Sequence, residues 1–388
     1  MANYALAYGG VGLVAALIAA VLTRESIAWS WKWNVLDRPG PRKLHRQPVA
    51  LLGGCALFGS FVATLAIGLV YAHAVARASA GEAAWMPESL LVDAGHLPLG
   101  KLLIVVAGGF AMFLVGLADD VRQVGPWVRL ALQVPVAIAV VLLAAPPQMK
   151  MLAPWQLDVL AIVWVVGMVN AMNLIDGADG LAGGIALIAS LGCCLELLVL
   201  NQPLPGLLLA ALVGVCSGFL LYNAPPARVY MGTSGAYFLG YTLAVGTLLG
   251  SDLAGTIHPR YALAFPLLML AVPLYDTATV VLLRLKAGRP LFKGDRRHLH
   301  FRLIRSGIPR RVAVMMLWGA AFAIMAVGIN VLVFAPTRSV AVGATGLLLV
   351  VVFAALETTS LLTLRRRLAA RRRLAAPATS VSQEASAR

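Results

Sequence analysis

The sequence predicts an all-α polytopic membrane protein with about eleven transmembrane helices in a single domain over residues 1–364. Of the 388 residues, 60% are hydrophobic and 12% are charged, a balance that cannot give a water-soluble domain a polar surface. Apolar stretches of about 20 residues recur, which is the length that crosses a bilayer. Residues 365–388 are predicted to form a basic, disordered cytoplasmic tail.

Hydropathy defines the individual membrane spans. The eleven predicted spans are 4–23, 50–73, 102–118, 129–145, 156–172, 181–200, 206–222, 236–250, 262–284, 312–334 and 340–363. No Lys or Arg precedes Arg24, so we expect the first span to stay as a membrane helix and not to act as a cleaved signal. No internal repeat divides the spans into two halves.

The net charge of +15 is explained by membrane topology. With the amino terminus outside, the cytoplasmic loops hold 26 of the 31 Lys and Arg residues and the outer loops hold the other five. Cytoplasmic loops of membrane proteins carry such an excess. The carboxyl terminus is therefore predicted to be cytoplasmic, and no nucleic-acid partner is expected.

Two acidic clusters lie at predicted cytoplasmic helix ends. GLADD contains Asp119 and Asp120, and NAMNLIDGADGLAGG contains Asp176 and Asp179. Adjacent carboxylates repel unless a cation, a lysine or a shared proton relieves them, although a solvated helix end is the plain alternative for GLADD. Mg2+ prefers oxygen ligands, so the candidate Mg2+ ligands, with Mn2+ as the alternative ion, are Asp119, Asp120, Asn173 and Asp176. A helical turn would place Asp176 and Asp179 on one face.

Two basic loops complete the predicted site. DRPGPRKLHRQPVALLGG places Lys43 and His45 ahead of the second span. KGDRRHLHFRL supplies arginines that can grip phosphate and histidines that can bind metal, bind phosphate or move a proton. Positive loops alone would explain the arginines but not the histidines. Asp276 in PLYDTATV either pairs with a basic residue and shapes the site or serves in helix packing.

Together with NAPPARVYMGTSGAYFLG, these motifs resemble in order and spacing the polyprenyl-phosphate N-acetylhexosamine-1-phosphate transferases of glycosyltransferase family 4. The resemblance covers roughly residues 5–360 and is closest to the undecaprenyl-phosphate GlcNAc-1-phosphate transferase branch. It implies that a lipid phosphate attacks the β-phosphorus of a UDP-sugar with Mg2+ and releases UMP, as the first membrane step of cell-envelope polysaccharide synthesis. It also implies a bacterial inner-membrane location with a cytoplasmic active site.

The resemblance also implies roles for individual residues. Asp119 and Asp120 match paired acids that orient or deprotonate the lipid phosphate and help to hold metal. Asn173 and Asp176 match metal-site positions, and the predicted catalytic residues are Asp119, Asp120 and Asp176. The predicted substrate-binding residues include the acid near the uracil and the basic loops: Asp179, Lys43, His45, Arg296, Arg297, His298, His300 and Arg302.

The match departs from the family at two positions. Thr233 stands where the family normally has a metal-binding Asp, within MGD followed by Ser or Thr and Gly. A hydroxyl brings no charge, so metal affinity should fall unless the other acids compensate. Phe301 stands where the branch usually has another histidine.

The sequence leaves two alternatives open. NLIDG and HLHF favour UDP-GlcNAc as donor, whereas the UDP-MurNAc-pentapeptide transferase of the same family usually carries NLTDG and a PIHHHFE-like loop. A membrane transporter, from a different class, would place polar residues deep in several spans. The spans contain few acids, Glu196 and Asp276 among them. The sequence leaves open whether the chain forms a homodimer.

Overall fold

The computed structural model of the chain describes residues 2–40, 47–77, 99–145, 153–200, 202–257, 266–290, 297–334, 346–349 and 351–359. Its helices are α1 Ala2–Lys32, α2 Gly53–Arg77, α3 Leu99–Arg122, α4 Pro126–Leu143, α5 Pro154–Ile175, α6 Leu181–Val199, α7 Pro203–Asn223, α8 Gly232–Ile257, α9 Ala271–Lys286, α10 Leu299–Ser306, α11 Arg310–Phe334 and α12 Gly346–Thr359. Strands β1 Leu36–Asp37 and β2 Val49–Ala50 form an antiparallel ribbon between α1 and α2.

The predicted fold class is confirmed: the chain is an all-α, multi-pass membrane protein. Within the described ranges, eight helices, α1 to α7 and α11, are long and apolar enough to cross a membrane. The predicted spans 236–250, 262–284 and 340–363 coincide with α8, α9 and α12, which do not meet that measure. The count of eleven, the orientation of the termini and the single domain therefore stay predictions, and the tail 365–388 lies outside the described residues.

The first helix is longer than its hydropathy indicates. The predicted end at residue 23 is wrong, because α1 continues to Lys32. Ser26 Oγ donates to the Thr23 carbonyl at 2.8 Å, and Ser30 Oγ donates to the Ser26 carbonyl at 2.7 Å. Polar side chains of this extension thus bond to the helix itself, so the loss of hydropathy at Arg24 does not end the helix.

Helix α8 lies at the centre of the bundle and packs against α2, α3, α5, α6 and α7. Its side chains Tyr237, Phe238 and Tyr241 are almost completely buried. Phe58 and Phe61 of α2 pack edge-on against Phe238. Because so many helices contact α8, its first turn is a fixed reference point for the groups that surround it.

Candidate active site

A cavity of about 400 Å3 lies where α3 and α5 end and α8 begins. β1 and residues 176–179, between α5 and α6, complete its polar wall. Five carboxylates and one amide line it: Asp37, Asp119, Asp120, Asp176, Asp179 and Asn173. The four predicted metal-site residues, which are far apart in sequence, are therefore brought into one cavity.

The end of α3 is held against the first turn of α8. Gly116 lies on the backbone of Thr233 and Ser234, so closely that any Cβ at this position would overlap it. Asp120 accepts hydrogen bonds from Thr233 N at 2.7 Å, Ser234 N at 3.0 Å and Ser234 Oγ at 2.7 Å. The first N–H groups of a helix have no intrahelical partner. Asp120 therefore caps α8 from a neighbouring helix.

Asp119 is held by different partners. Its Oδ2 accepts from Arg129 Nη1 at 2.7 Å and from Thr233 Oγ1 at 3.0 Å. The Arg129 and Asp119 side chains are 23% and 13% exposed, so solvent weakens this ion pair less than it weakens a surface pair. The hydroxyl of Thr233 thus donates to Asp119, whereas an Asp at position 233 would repel Asp119.

The loop after α5 is not helical, so the condition under which Asp176 and Asp179 would share a helical face is not met. α5 ends at Ile175, and Gly180, with a φ of 72°, precedes α6. The glycines of this motif favour a tight turn over a continued helix. Both carboxylates still line the cavity, because the turn keeps them at its wall.

Asp179 ties this loop to the segment that precedes α8. It accepts hydrogen bonds from Tyr230 Oη at 3.1 Å and from Ala227 N at 3.2 Å. Tyr230 N in turn donates to the Ala50 carbonyl at 2.8 Å, which joins the segment to β2. Asp37, Asp179 and Tyr230 therefore form one connected side of the cavity.

The carboxylates perturb one another. Burial, reinforced by Asp120, Asp179 and Asp37, raises the pKa of Asp176 to about 7. Such crowding favours the binding of a cation. Among the described residues, the side-chain oxygens of Asn173 and Asp176 have no hydrogen-bond partner.

The donor set fits Mg2+ in its usual mode of binding in proteins. Within the described ranges, no three acidic, histidine or cysteine side chains are arranged to hold a metal by themselves. Mg2+ usually takes one or two carboxylates and completes its shell with water and substrate phosphates. Asn173 and Asp176 can supply that partial shell, with Asp119 in the same cavity.

Of the predicted basic residues, the structure describes Arg297 and Arg302 outside the lining of the cavity. Lys43, His45 and Arg296 lie outside the described residues. Arg297 Nη1 donates to the Leu283 carbonyl at 2.6 Å. Arg302 Nη1 lies 2.6 Å from Glu357 Oε1. Their roles in substrate binding stay predictions.

The two histidines are structural neighbours of the site. His298 Nδ1 is 2.7 Å from Asp276 Oδ2, and Leu299 N donates to Asp276 Oδ1 at 2.6 Å. Asp276 therefore pairs with a basic-loop residue, the first of its two predicted roles. His300 is fully buried against Gly177, and burial lowers its pKa to about 4. A neutral imidazole cannot serve as a phosphate-binding cation at neutral pH.

Four residues at or near the site are not among the predicted site residues: Asp37, Arg129, Tyr230 and Glu357. Asp37 opens the DRPGP segment and Tyr230 precedes MGTSG, so proximity to those motifs was an available signal. Arg129 occupies the start of the span that follows GLADD. The only sequence signal for Glu357 is its negative charge near the end of the last apolar stretch.

Comparison with known proteins supports this assignment of motifs. The model of glycosyl transferase family 4 matches residues 102–251, which include both acidic clusters and Thr233. A decaprenyl-phosphate N-acetylglucosaminephosphotransferase of Mycolicibacterium smegmatis is 30% identical over 335 residues, which cover 79% of this chain and 78% of that protein. The chain belongs to glycosyl transferase family 4.

Two further relatives bear on the branch of family 4. A probable undecaprenyl-phosphate N-acetylglucosaminyl 1-phosphate transferase of Bacillus subtilis is 28% identical over 81% of this chain and 82% of its own length. A phospho-N-acetylmuramoyl-pentapeptide-transferase of Chlamydia muridarum is 34% identical, over 44% of this chain and 49% of its own length. The similarity to the N-acetylglucosamine branch of family 4 thus extends over nearly twice as much of the chain.

Proposed function

We propose that this protein transfers N-acetylglucosamine 1-phosphate from UDP-N-acetylglucosamine to a polyprenyl phosphate, with undecaprenyl phosphate as the first candidate, and releases UMP. One observation carries the proposal: a membrane helix bundle brings Asp119, Asn173 and Asp176 into a single carboxylate-rich cavity. The relatives that match about four fifths of the chain are named for N-acetylglucosamine phosphate transfer with undecaprenyl or decaprenyl phosphate.

The reaction is a displacement at phosphorus. An oxygen of the lipid phosphate forms a bond to the β-phosphorus of the UDP-sugar, while the bond from that phosphorus to the bridging oxygen breaks. UMP leaves with the electron pair. Asp119, held by Arg129 and Thr233, orients the attacking phosphate or accepts its proton. Asp120 contributes by fixing the first turn of α8.

Asn173 and Asp176 would hold Mg2+ or Mn2+ beside this group. When bound, the ion offsets the negative charge of the donor pyrophosphate. Asp176, whose pKa is raised to about 7 by burial and nearby carboxylates, would carry its negative charge when it holds the ion. Positioning and charge neutralisation supply most of the rate enhancement in phosphoryl transfer.

The uracil end of the donor is proposed to lie along Asp179 and Tyr230. The Asp179 carboxylate already accepts two hydrogen bonds, and its remaining lone pairs can accept one from a base N–H group. Tyr230 lines the same cavity, and an aromatic ring provides a face on which any base can stack. These two side chains thus supply both kinds of contact that a nucleobase requires.

The proposed location is the cytoplasmic face of a bacterial inner membrane. The excess of Lys and Arg in the loops that precede and follow the site residues supports this orientation. Trp29, Trp31 and Trp33 at the end of α1 and Trp127 at the start of α4 are exposed. Tryptophans are enriched where a membrane protein meets the lipid headgroups.

Release of UMP by the purified protein in nanodiscs tests the proposal. The acceptor is undecaprenyl phosphate, and the donors are UDP-GlcNAc, UDP-GalNAc and UDP-MurNAc-pentapeptide, each tested with and without Mg2+. We expect the fastest release with UDP-GlcNAc and a requirement for the ion. Glu25→Gln, an exposed acid of α1, serves as the control variant. Release with the pentapeptide donor alone would establish the alternative branch, and no release with any donor would refute the proposal.

A further inference from the structure

Helix α12 is joined to α10 through one acidic side chain, Glu357. Glu357 Oε1 lies 2.6 Å from Arg302 Nη1 of α10 and accepts a hydrogen bond from Tyr275 Oη of α9 at 3.0 Å. The Tyr275 ring stacks on Phe353 of α12, with centroids 3.8 Å apart and an interplanar angle of 9°. The three helices α9, α10 and α12 therefore meet at this carboxylate.

Helix α10 reaches the active-site cavity directly. Phe301 lines the cavity, and the His300 ring packs against Gly177 in the loop that carries Asp176. At its amino end, α10 is fixed by Asp276, which bonds to His298 and to Leu299 N. The buried side chains Leu299, His300 and Leu303 hold one face of α10 in the bundle, and α10 also contacts α11. The contact between Arg302 and Glu357, about one turn from the Asp276 contacts, fixes the partly exposed side of α10.

Arg302 depends on Glu357 for its counter-charge. The Arg302 and Glu357 side chains are 20% and 26% exposed. Arg302 Nε and Nη2 are buried with no hydrogen-bond partner in the described part of the chain. Removing one member of a largely buried ion pair leaves the other charge uncompensated. Without Glu357, Arg302 would have to turn toward water, and α10 would move with it.

We propose that Glu357 is a positioning residue for the donor site. Through Arg302 it sets the rotation of α10, and this rotation places Phe301 in the cavity wall. The role accounts for the presence of an acid near the end of an otherwise apolar helix, where a charge is costly. The inference rests on the proposed function, since it assigns the wall formed by Phe301 to binding of the UDP-sugar.

Steady-state kinetics of UMP release in nanodiscs tests this inference. The variants are Glu357→Ala, Glu357→Asp, Arg302→Ala and the charge-swapped double variant Glu357→Arg with Arg302→Glu. We expect Glu357→Ala and Arg302→Ala to raise the donor KM roughly tenfold, because Phe301 moves, and to leave the acceptor KM unchanged. The swapped pair restores most of the donor affinity. Glu357→Asp, which keeps the charge on a shorter side chain, gives an intermediate KM.

The outcomes separate positioning from general stability. Glu25→Gln is the matched control, because it removes an exposed acid of α1. A lower kcat with both KM values unchanged would mean a smaller folded fraction and would overturn the inference. Equal loss in the single and swapped variants would overturn it as well. If the swapped protein does not accumulate, Glu357→Asp provides the same comparison.

The donor in these assays is whichever UDP-sugar the wild-type protein turns over fastest. An inactive wild-type protein would therefore count against the proposed function. An active wild-type protein whose donor KM is insensitive to Glu357 would count against the positioning role alone.

Discussion

At the scale of single residues, Thr233 changes the interaction between the start of α8 and the acid pair. Its hydroxyl donates to Asp119 at 3.0 Å, and its backbone N–H donates to Asp120 at 2.7 Å. A carboxylate at position 233 would face Asp119 with the same charge, and like charges at hydrogen-bond distance raise the free energy unless a cation lies between them. In the native protein, the hydrogen bonds from Thr233 therefore hold Asp119 and Asp120 without an added charge at position 233.

Thr233→Asp is expected to make the site more dependent on Mg2+. The added carboxylate should lower the Mg2+ concentration for half-maximal UMP release, because it supplies a charged ligand. Without Mg2+ the variant should unfold at a lower temperature than the wild type. Mg2+ should raise the unfolding temperature of the variant toward that of the wild type, because it binds the folded state. Thr233→Asn, neutral and similar in size to Asp, is the control. An unchanged Mg2+ requirement would show that residue 233 does not reach the ion.

Substitutions of the adjacent acids Asp119 and Asp120 are expected to affect turnover and thermal stability differently. Asp119→Asn should lower turnover by at least about a hundredfold, and its loss of thermal stability should be the smaller of the two, because one amide oxygen can still accept from both Arg129 and Thr233. Asp120→Asn should lower turnover too, but it also weakens the cap of α8 at a cost of about 1 kcal/mol. Thermal unfolding in detergent, measured together with UMP release, distinguishes the two variants. Equal stability of both variants, or near-normal turnover in both, would contradict this division.

Sequence motifs predicted which acids converge but not what holds them. Asp119, Asp120, Asn173 and Asp176 could be grouped because each lies at a predicted cytoplasmic helix end, and the structure places all four in one cavity. Arg129 could not be assigned in the same way. An arginine at a cytoplasmic helix end is already explained by topology, and its contact with Asp119 depends on how α4 packs after the turn.

At the scale of helices, α1 and α7 pack closely because small residues line their contact. Gly214 lies against the Gly12 carbonyl, and Gly218 lies against the Ala16 carbonyl. Two glycines four residues apart on one helix let the backbones approach, and such packing drives association where lipid removes the hydrophobic effect between helices. Hydropathy defined both spans but carried no information on which helices would be neighbours.

Gly218→Ala is expected to destabilise the bundle. The added Cβ would overlap the Ala16 carbonyl, so α1 and α7 must separate, and such overpacking typically costs about 1–3 kcal/mol. The thermal unfolding midpoint should fall, and UMP release per folded molecule should change little. Gly68→Ala is the control, since nothing lies within 4 Å of a Cβ at that position. Similar midpoints for the two variants would show that the contact tolerates separation.

Helix boundaries were predicted less well than helix existence. Residue 23 was a reasonable end for the first apolar run, yet Ser26 and Ser30 satisfy their hydroxyls on helix carbonyls and α1 continues. At the acidic loop, the spacing of Asp176 and Asp179 allows a helical turn, but the glycines between and after them favour a loop. In both places local bonding, not hydropathy, decides where the helix ends.

At the scale of the whole molecule, the cavity collects chain segments that the predicted topology assigns to one side of the membrane. Asp37 follows α1, Asp119 lies in the last turn of α3, Asp176 follows α5 and Thr233 begins α8. These segments are all predicted to be cytoplasmic, and their convergence at one end of the bundle agrees with that alternation. The absolute orientation comes only from the excess of Lys and Arg, so it needs a direct measurement.

Thiol labelling of two single-cysteine additions measures the orientation. Lys101→Cys lies on an exposed position at the predicted outer start of α3, and Arg305→Cys lies on an exposed position of α10 near the site. Both are made in a Cys55→Ser background, because Cys55 is partly exposed whereas Cys193, Cys194 and Cys216 are buried. An impermeant reagent should label Lys101→Cys in intact spheroplasts and Arg305→Cys only after the membrane is made permeable. Reversed labelling would place the carboxylates on the side that holds no nucleotide sugars, and the proposed reaction could not proceed there.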